Sequence, residues 1–237
     1  MSELWLIPIS FLTSAIAGAL GMGGGVLLIA LMPGLVPVQA ILPLHALVQL
    51  GSNASRAALR PRLIAWQMVP ALLLGALAGA FLGGTLYAQL ELHWLPAIVG
   101  VLILAITWLP LPPVRRGGQV GLCLLGFYQT GVGMLAGATG PLGAAVLARF
   151  RLQRDWLVVN TAVYMSINHL LRTLAFAILG FSFAAWWSLI CGMIAAAIIG
   201  SWCGTLVRER IPEIDFARAF RWLVTVLALR MIALSFF

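Results

Sequence analysis

The chain has 237 residues, of which 62% are hydrophobic and only 8% charged. Its 14 basic residues are all Arg; against 6 acidic residues they give a net charge of +8, with a mean hydropathy of +1.07. A soluble domain carries about 25% charged residues, so this composition excludes a soluble enzyme, a nucleic-acid-binding domain and a disordered chain, and leaves a polytopic membrane protein with Arg anchoring one side.

The opening stretch MSELWLIPIS lacks a basic n-region and contains Glu3, so it reads as part of the fold rather than as a signal peptide. Eight apolar segments follow, at roughly 4–34, 38–58, 63–88, 93–112, 117–148, 156–180, 183–206 and 216–237. Strand-like alternation is not sustained anywhere, which argues against a β-barrel. Cys123, Cys191 and Cys203 all fall in apolar runs, an odd set unsuited to a disulfide framework. Six segments have the length of one bilayer crossing, about 20 residues. The first and fifth, at about 31 residues, are long for one crossing and short for two. Glycines interrupt each near its middle: Gly21-Met-Gly23-Gly24-Gly25 in the first and Gly137-Ala-Thr139-Gly140-Pro141 in the fifth. Matched glycine breaks in two halves predict discontinuous helices of a transporter.

The halves also match elsewhere. The run from His45 to Asn53 aligns with Asn160 to Asn168 at an offset of 115, with Arg56 and Arg172 just beyond, and Gly84-Thr85-Leu86 echoes Gly204-Thr205-Leu206. Twelve of the Arg residues fall in the connections between segments 2–3, 4–5, 5–6 and 7–8. If every segment crossed once, these would split five to seven between the two sides. If segments 1 and 5 fold back, all twelve share one side, as the positive-inside rule favours. The expected fold is therefore an all-α polytopic membrane protein. It has two inverted repeats, residues 1–112 and 113–237, each a re-entrant hairpin plus three transmembrane helices. The Arg-rich connections are expected in the cytoplasm and both termini outside.

Gly18-Ala-Leu-Gly21-Met-Gly-Gly-Gly25, Gly84-Thr85 and the later Gly131-x-Gly133 with Gly140-Pro141 resemble the TauE/SafE family, the sulfite and organosulfonate exporters also called the 4-toluenesulfonate uptake permease family. The resemblance covers nearly the whole chain. It implies a multi-pass protein of the bacterial inner membrane that moves small sulfur-containing anions.

A helix that begins inside the bilayer leaves its first N–H groups unpaired at the positive end of its dipole, and an anion answers both. Gly23, Gly24 and Gly25 in the first break, and Thr139 and Gly140 in the second, are thus candidate substrate ligands. Asn53 joins them from segment 2. Asn160, Tyr164 and Asn168, spaced i, i+4, i+8, form a polar stripe on segment 6 that either lines a pathway or bonds neighbouring helices. Arg172 is expected near the outer face, about 25 Å along its helix, and Arg56 near the inner face. As two cations at opposite mouths, each offers a planar fork to an oxyanion, unless it snorkels to headgroups. Arg56 and His169 are the candidate gate or proton relay. Gly75, Gly79 and Gly200 read as packing residues. His45, His93 and His169 have no metal-ligand spacing, and no cofactor or catalytic grouping is expected. The six acidic residues all sit at segment edges, so uncoupled export is the economical expectation: an inside-negative potential favours anion exit by about 2.3 kcal/mol per charge at 100 mV. The expected partners are a small anion and the lipid bilayer, with a second copy of the chain as a further candidate and no nucleic acid. A channel, a carrier for another solute and a non-transporting scaffold are the alternatives.

Overall fold

The computed structural model describes residues 2–20, 23–109, 118–137, 139, 140, 143, 147, 153–207 and 213–236, with side chains at all of these but 154 and 213–220. The fold is all-helical among these residues. The principal helices are α1 (Leu6–Leu20), α2 (Gly24–Leu31), α3 (Val38–Ala58), α4 (Val69–Ala88), α5 (Leu95–Trp108), α6 (Gln119–Ala136), α7 (Arg154–Ile178), α8 (Trp187–Val207) and α9 (Glu213–Ala233). Short 3-10 turns precede several of them: Ser2–Trp5 before α1, Trp66–Met68 before α4, Leu92–Trp94 before α5 and Phe183–Trp186 before α8. Four helical stretches are long and apolar enough to cross a membrane: Ser2–Leu20, Trp66–Ala88, Gln119–Ala136 and Phe183–Val207.

Both long glycine-interrupted segments break where the sequence places the interruption. Gly23 takes φ +95° ahead of α2, and Gly137 takes φ +74° after α6, a left-handed region that side chains resist. The chain then doubles back. A Cβ on Gly24 would strike the Thr13 carbonyl and the Ala17 side chain, whereas a straight helix would hold residues 13 and 24 about 16 Å apart. In the second half, the Thr139 hydroxyl donates to the Gln129 carbonyl at 3.3 Å, across ten residues. The first hairpin is asymmetric, however. With its 3-10 lead, α1 reaches most of the way across, since Gly18 touches Ser201 and Thr205 near the far end of α8. The short arm, α2, is only about 12 Å long and starts beside the middle of α1.

Contacts between connections fix which ends of the helices lie together. At one end, Arg60 after α3 pairs with Asp155 at the start of α7. Gln119, opening α6, donates to the Gln67 carbonyl at 3.2 Å, and Trp108 meets Trp222 edge to face at 5.2 Å. At the other end, Arg230 donates to the Pro33 carbonyl at 3.3 Å and Trp94 meets Phe236 at 5.5 Å. The connections after α3 and before α7 therefore share one end, which eight single crossings would forbid. Most Arg of the other basic connections (Arg115, Arg116, Arg149, Arg151, Arg208, Arg210) lie outside the described residues. Exposed Trp residues mark both ends, Trp66, Trp108 and Trp222 at one and Trp5, Trp94 and Trp187 at the other, as expected for interfacial belts.

Helix packing follows from small residues, because lipid offers no hydrophobic force to join apolar helices. α1 packs on α8 and α4 packs on α6, each pair running parallel. Gly75 and Gly79 bring α4 onto the α6 backbone at Cys123 and Phe127, and Gly200 and Gly204 bring α8 onto α1 at Phe11 and Ala15. α5 packs against α9. The two least apolar of the long inner helices, α3 and α7, pack against each other at the centre, with α8 also on α3 and with α4 and α6 on α7. Their polar side chains are thereby withdrawn from lipid. Leu74 and Phe81 on α4, Leu124 on α6 and Ile199 on α8 face outward instead.

Candidate functional site

The first turn of α2 supplies the backbone of the site. Gly23 precedes the helix and its carbonyl accepts from Leu27 N at 3.2 Å. The N–H groups of Gly24, Gly25 and Val26 have no acceptor within the helix, by the geometry of a helix start. Gly23 through Val26 line a small cavity of about 40 Å³. Its other walls are Ala17, then His45, Gln49, Asn53 and Arg56 of α3, Gly137 and Gly140 of the second break, and Thr161, Met165 and His169 of α7. The two breaks thus meet at one cavity.

His45, Gln49 and Asn53 are spaced i, i+4, i+8, as are Thr161, Met165 and His169, so each helix offers one stripe. The lining pairs Gly24/Gly140, His45/Thr161, Gln49/Met165 and Asn53/His169 all stand 116 residues apart. The sequence alignment at 115 is therefore one residue short of the spacing the cavity uses. One residue on a helix is about 100° of rotation, and that decides which residues of α7 face the cavity.

Asn160, Tyr164 and Asn168 consequently point elsewhere. Asn160 accepts from Ala65 N at 2.8 Å and donates to the carbonyls of Leu63 (2.9 Å) and Trp156 (2.8 Å). Its amide clamps the α3–α4 connection. Tyr164 donates its hydroxyl to Gln129 Oε1. Asn168 lies beside Gly133, and neither of its amide atoms has a partner, though the residue is buried.

The arginines depart from the expected mouths. Arg172 is wholly buried, 0% exposed, so it does not snorkel. Its Nη1 donates to the Gly137 carbonyl at 2.8 Å and to His169 Nδ1 at 3.3 Å. The cause is the early end of α6: carbonyls of an interrupted helix need donors, and a cation suits the negative end of the dipole. Arg172 Nε and Nη2, the two donors along one edge of the guanidinium, have no partner. Arg56 is also buried, 4% exposed, and lines the cavity. Its Nε donates to Ser201 Oγ at 3.2 Å and its Nη2 to Ser52 Oγ at 3.3 Å; Ser52 in turn donates to Ser14 Oγ at 3.1 Å.

Two histidines face each other here, with ring centroids 5.7 Å apart. His45 Nε2 lies 2.9 Å from the Gly25 carbonyl. In the same cavity lining, Gln49 Nε2 and Thr161 Oγ1 are buried without a hydrogen-bond partner. Buried polar groups are almost always paired, so this cluster has unspent capacity to bind a polar guest. With Arg56 and helix-start amides in its lining, Arg172 behind His169, and no carboxylate in that lining among the described residues, the guest it suits is an anion. No group of three potential metal ligands occurs among the described residues.

Of the residues singled out from sequence, Gly23, Gly24, Gly25, Asn53, Arg56, Gly140 and His169 line the cavity, and Arg172 stands directly behind His169. Thr139 is tied to α6 through Gln129. Gly21, Met22 and Pro141 lie outside the described residues. Sequence reasoning gave no binding role to His45, Gln49, Gly137, Thr161 or Met165. The i, i+4, i+8 rule applied to segment 2 would have found the first two.

The sequence model of the family described as sulfite exporter TauE/SafE matches residues 6–231, nearly the whole chain, and the protein belongs to that family. No curated protein and no solved structure matches the chain.

Proposed function

We propose that this member of the TauE/SafE family carries sulfite or an organosulfonate out of the cell by alternating access at the cavity between the two helix breaks. The observation that carries the reading is that cavity: helix-start amides at Gly24–Val26, Arg56 in the wall, Arg172 behind it, and buried donors without partners. A sulfur oxyanion has three oxygens, each able to accept. The N–H groups of α2 meet one, and an arginine fork can meet two.

The two halves act as inverted repeats in this proposal. Supporting it, corresponding helices run in opposite directions, as the end contacts of α3 and α7 imply, and the constant spacing of 116 residues maps the lining of the cavity onto itself. Arg56 and Arg172 are then equivalent residues, one lining the cavity and the other sealed behind His169. Rocking of one half against the other would exchange their access, with His169 as the gate. The membrane is the bacterial plasma membrane, with the end that carries Arg60 and Arg62 in the cytoplasm.

Flux into liposomes containing the purified full chain tests the reading. Sulfite or methanesulfonate should enter saturably, and each should compete with the other. Loss of at least tenfold in flux is expected for Arg172→Lys, which keeps the charge and loses the fork. Unsaturable chloride flux would point to a channel, and absence of any flux to a scaffold; either outcome sinks the proposal.

A further inference from the structure

The histidine pair has a role that anion binding alone leaves unused. The hydrogen bonds fix both tautomers. A carbonyl only accepts, so His45 Nε2 carries the proton it gives to Gly25. A guanidinium only donates, so His169 Nδ1 is the acceptor from Arg172 and the His169 proton sits on Nε2. The lone pair of His169 is therefore occupied by Arg172. The lone pair of His45, on Nδ1, is buried and has no partner.

We infer that His45 is the proton-loading residue of the carrier, taking one proton on Nδ1 as an anion enters the cavity, so that anion and proton cross together. The inference rests on the oxyanion reading above. In the step itself, a hydronium ion on the open side gives its proton to the Nδ1 lone pair and becomes water, and the new Nδ1–H turns to the anion. On release the Nδ1–H bond breaks and a water on the other side takes the proton as hydronium, with no change of oxidation state.

The surroundings explain why the proton should follow the anion. Of the charged and titratable groups nearby, Arg172 on α7 bonds His169 of the pair, Arg56 lines the same cavity further along α3, and Tyr164 on α7 is turned to Gln129. From the other elements, α2 presents the Gly25 carbonyl to His45 and the end of α6 presents the Gly137 carbonyl to Arg172, while Ser14 of α1 and Ser201 of α8 bond Ser52 and Arg56. Without a guest, a cationic His45 would meet the charge of Arg172 behind His169, with Arg56 in the same cavity wall and no carboxylate in that lining among the described residues, so it stays neutral. An anion in the cavity reverses that field. Binding of anion and proton must then be reciprocal, each raising the affinity for the other. His169 cannot take the role without releasing Arg172. A carrier that loads both moves a monoanion without net charge, and this replaces the uncoupled exit that the lack of intramembrane carboxylates suggested.

The test uses the full chain in liposomes that contain a pH-reporting dye, with methanesulfonate outside. A sulfonate is a permanent anion and brings no proton of its own. The wild type should acidify the interior with about one proton per sulfonate, and its half-saturating concentration should fall by up to about tenfold per pH unit as the medium is acidified. In His45→Gln, whose amide can still donate to Gly25, the proton-to-sulfonate ratio should drop to near zero. In His169→Gln it should stay near one, even where flux is reduced. A wild type that moves sulfonate without protons overturns the inference while leaving the oxyanion reading intact, and needs no variant to fold. A ratio kept in His45→Gln, or lost in His169→Gln alone, removes the assignment to His45. A wild type that carries neither sulfite nor sulfonate sinks both.

Discussion

Asn160 and Asn168 show how one residue type serves two purposes on a single helix. Asn160 has every polar atom committed to backbone of the α3–α4 connection or to Trp156. Asn168, two turns on, has none committed. Removing the first amide leaves the Ala65 N–H and the Leu63 carbonyl unpaired, a cost of about 1–3 kcal/mol. Asn160→Ala should therefore lower the thermal unfolding temperature in detergent without changing the half-saturating anion concentration. Asn168→Leu, nearly the same shape, should leave stability unchanged or raised, because it deletes a desolvated amide that has no bond to lose. Equal effects of the two changes on stability would show that Asn168 has a structural partner. The difference was not legible in the sequence. An i, i+4, i+8 stripe is visible there, but its rotation about the helix is not, and the stripe that faces the cavity begins at Thr161. Residue chemistry is a poor guide here, since Met165 occupies the lining position and the more polar Tyr164 beside it does not.

At the scale of the element, some glycines admit a neighbouring backbone and others face open space. On α4, Gly79 sits so close to α6 that a methyl group would overlap the Phe127 carbonyl. On α6, Gly121 has nothing within 4 Å of where its Cβ would be. Gly79→Ala should thus force α4 and α6 apart at a cost of about 1–3 kcal/mol. Gly121→Ala should stabilise by about 0.5–1 kcal/mol, because the residue loses backbone freedom in the unfolded chain and meets no clash. Thermal unfolding of the two variants in one detergent decides it, and a stabilised Gly79→Ala would mean the helices are not in backbone contact. The packing role of Gly75, Gly79 and Gly200 could be read from composition, since membrane helices need small residues to approach. The breaks could be read too, because neither four glycines in five residues, as in the first, nor two glycines and a proline in five, as in the second, favours a continuous helix. What the sequence did not reveal was the unequal arms of the first hairpin. Nothing in a uniformly apolar run says how far the chain travels before it turns.

At the scale of the molecule, the decisive feature is that the connection after α3 and the start of α7 lie at one end. Charge counting expects this of these two connections, because only folded-back first and fifth segments gather the arginines on one side. The Arg60–Asp155 pair is itself worth little, being about half exposed on the Arg side, and such pairs contribute roughly 0–1 kcal/mol. Its value is as a ruler. In a background lacking Cys123, Cys191 and Cys203, a Cys at each of positions 60 and 155 should be joined by a short bifunctional maleimide. Both should react with an impermeant thiol reagent only after the membrane is opened, as cytoplasmic residues do. Cys at 94 and at 236 should also cross-link, since Trp94 and Phe236 are in ring contact, and both should react in intact cells. Labelling of 60 and 155 from opposite sides would mean that one of the glycine breaks crosses completely. The half-helix start at Gly24 would then no longer face the second break across a shared cavity, and the coupling of anion to proton would lose its setting with it.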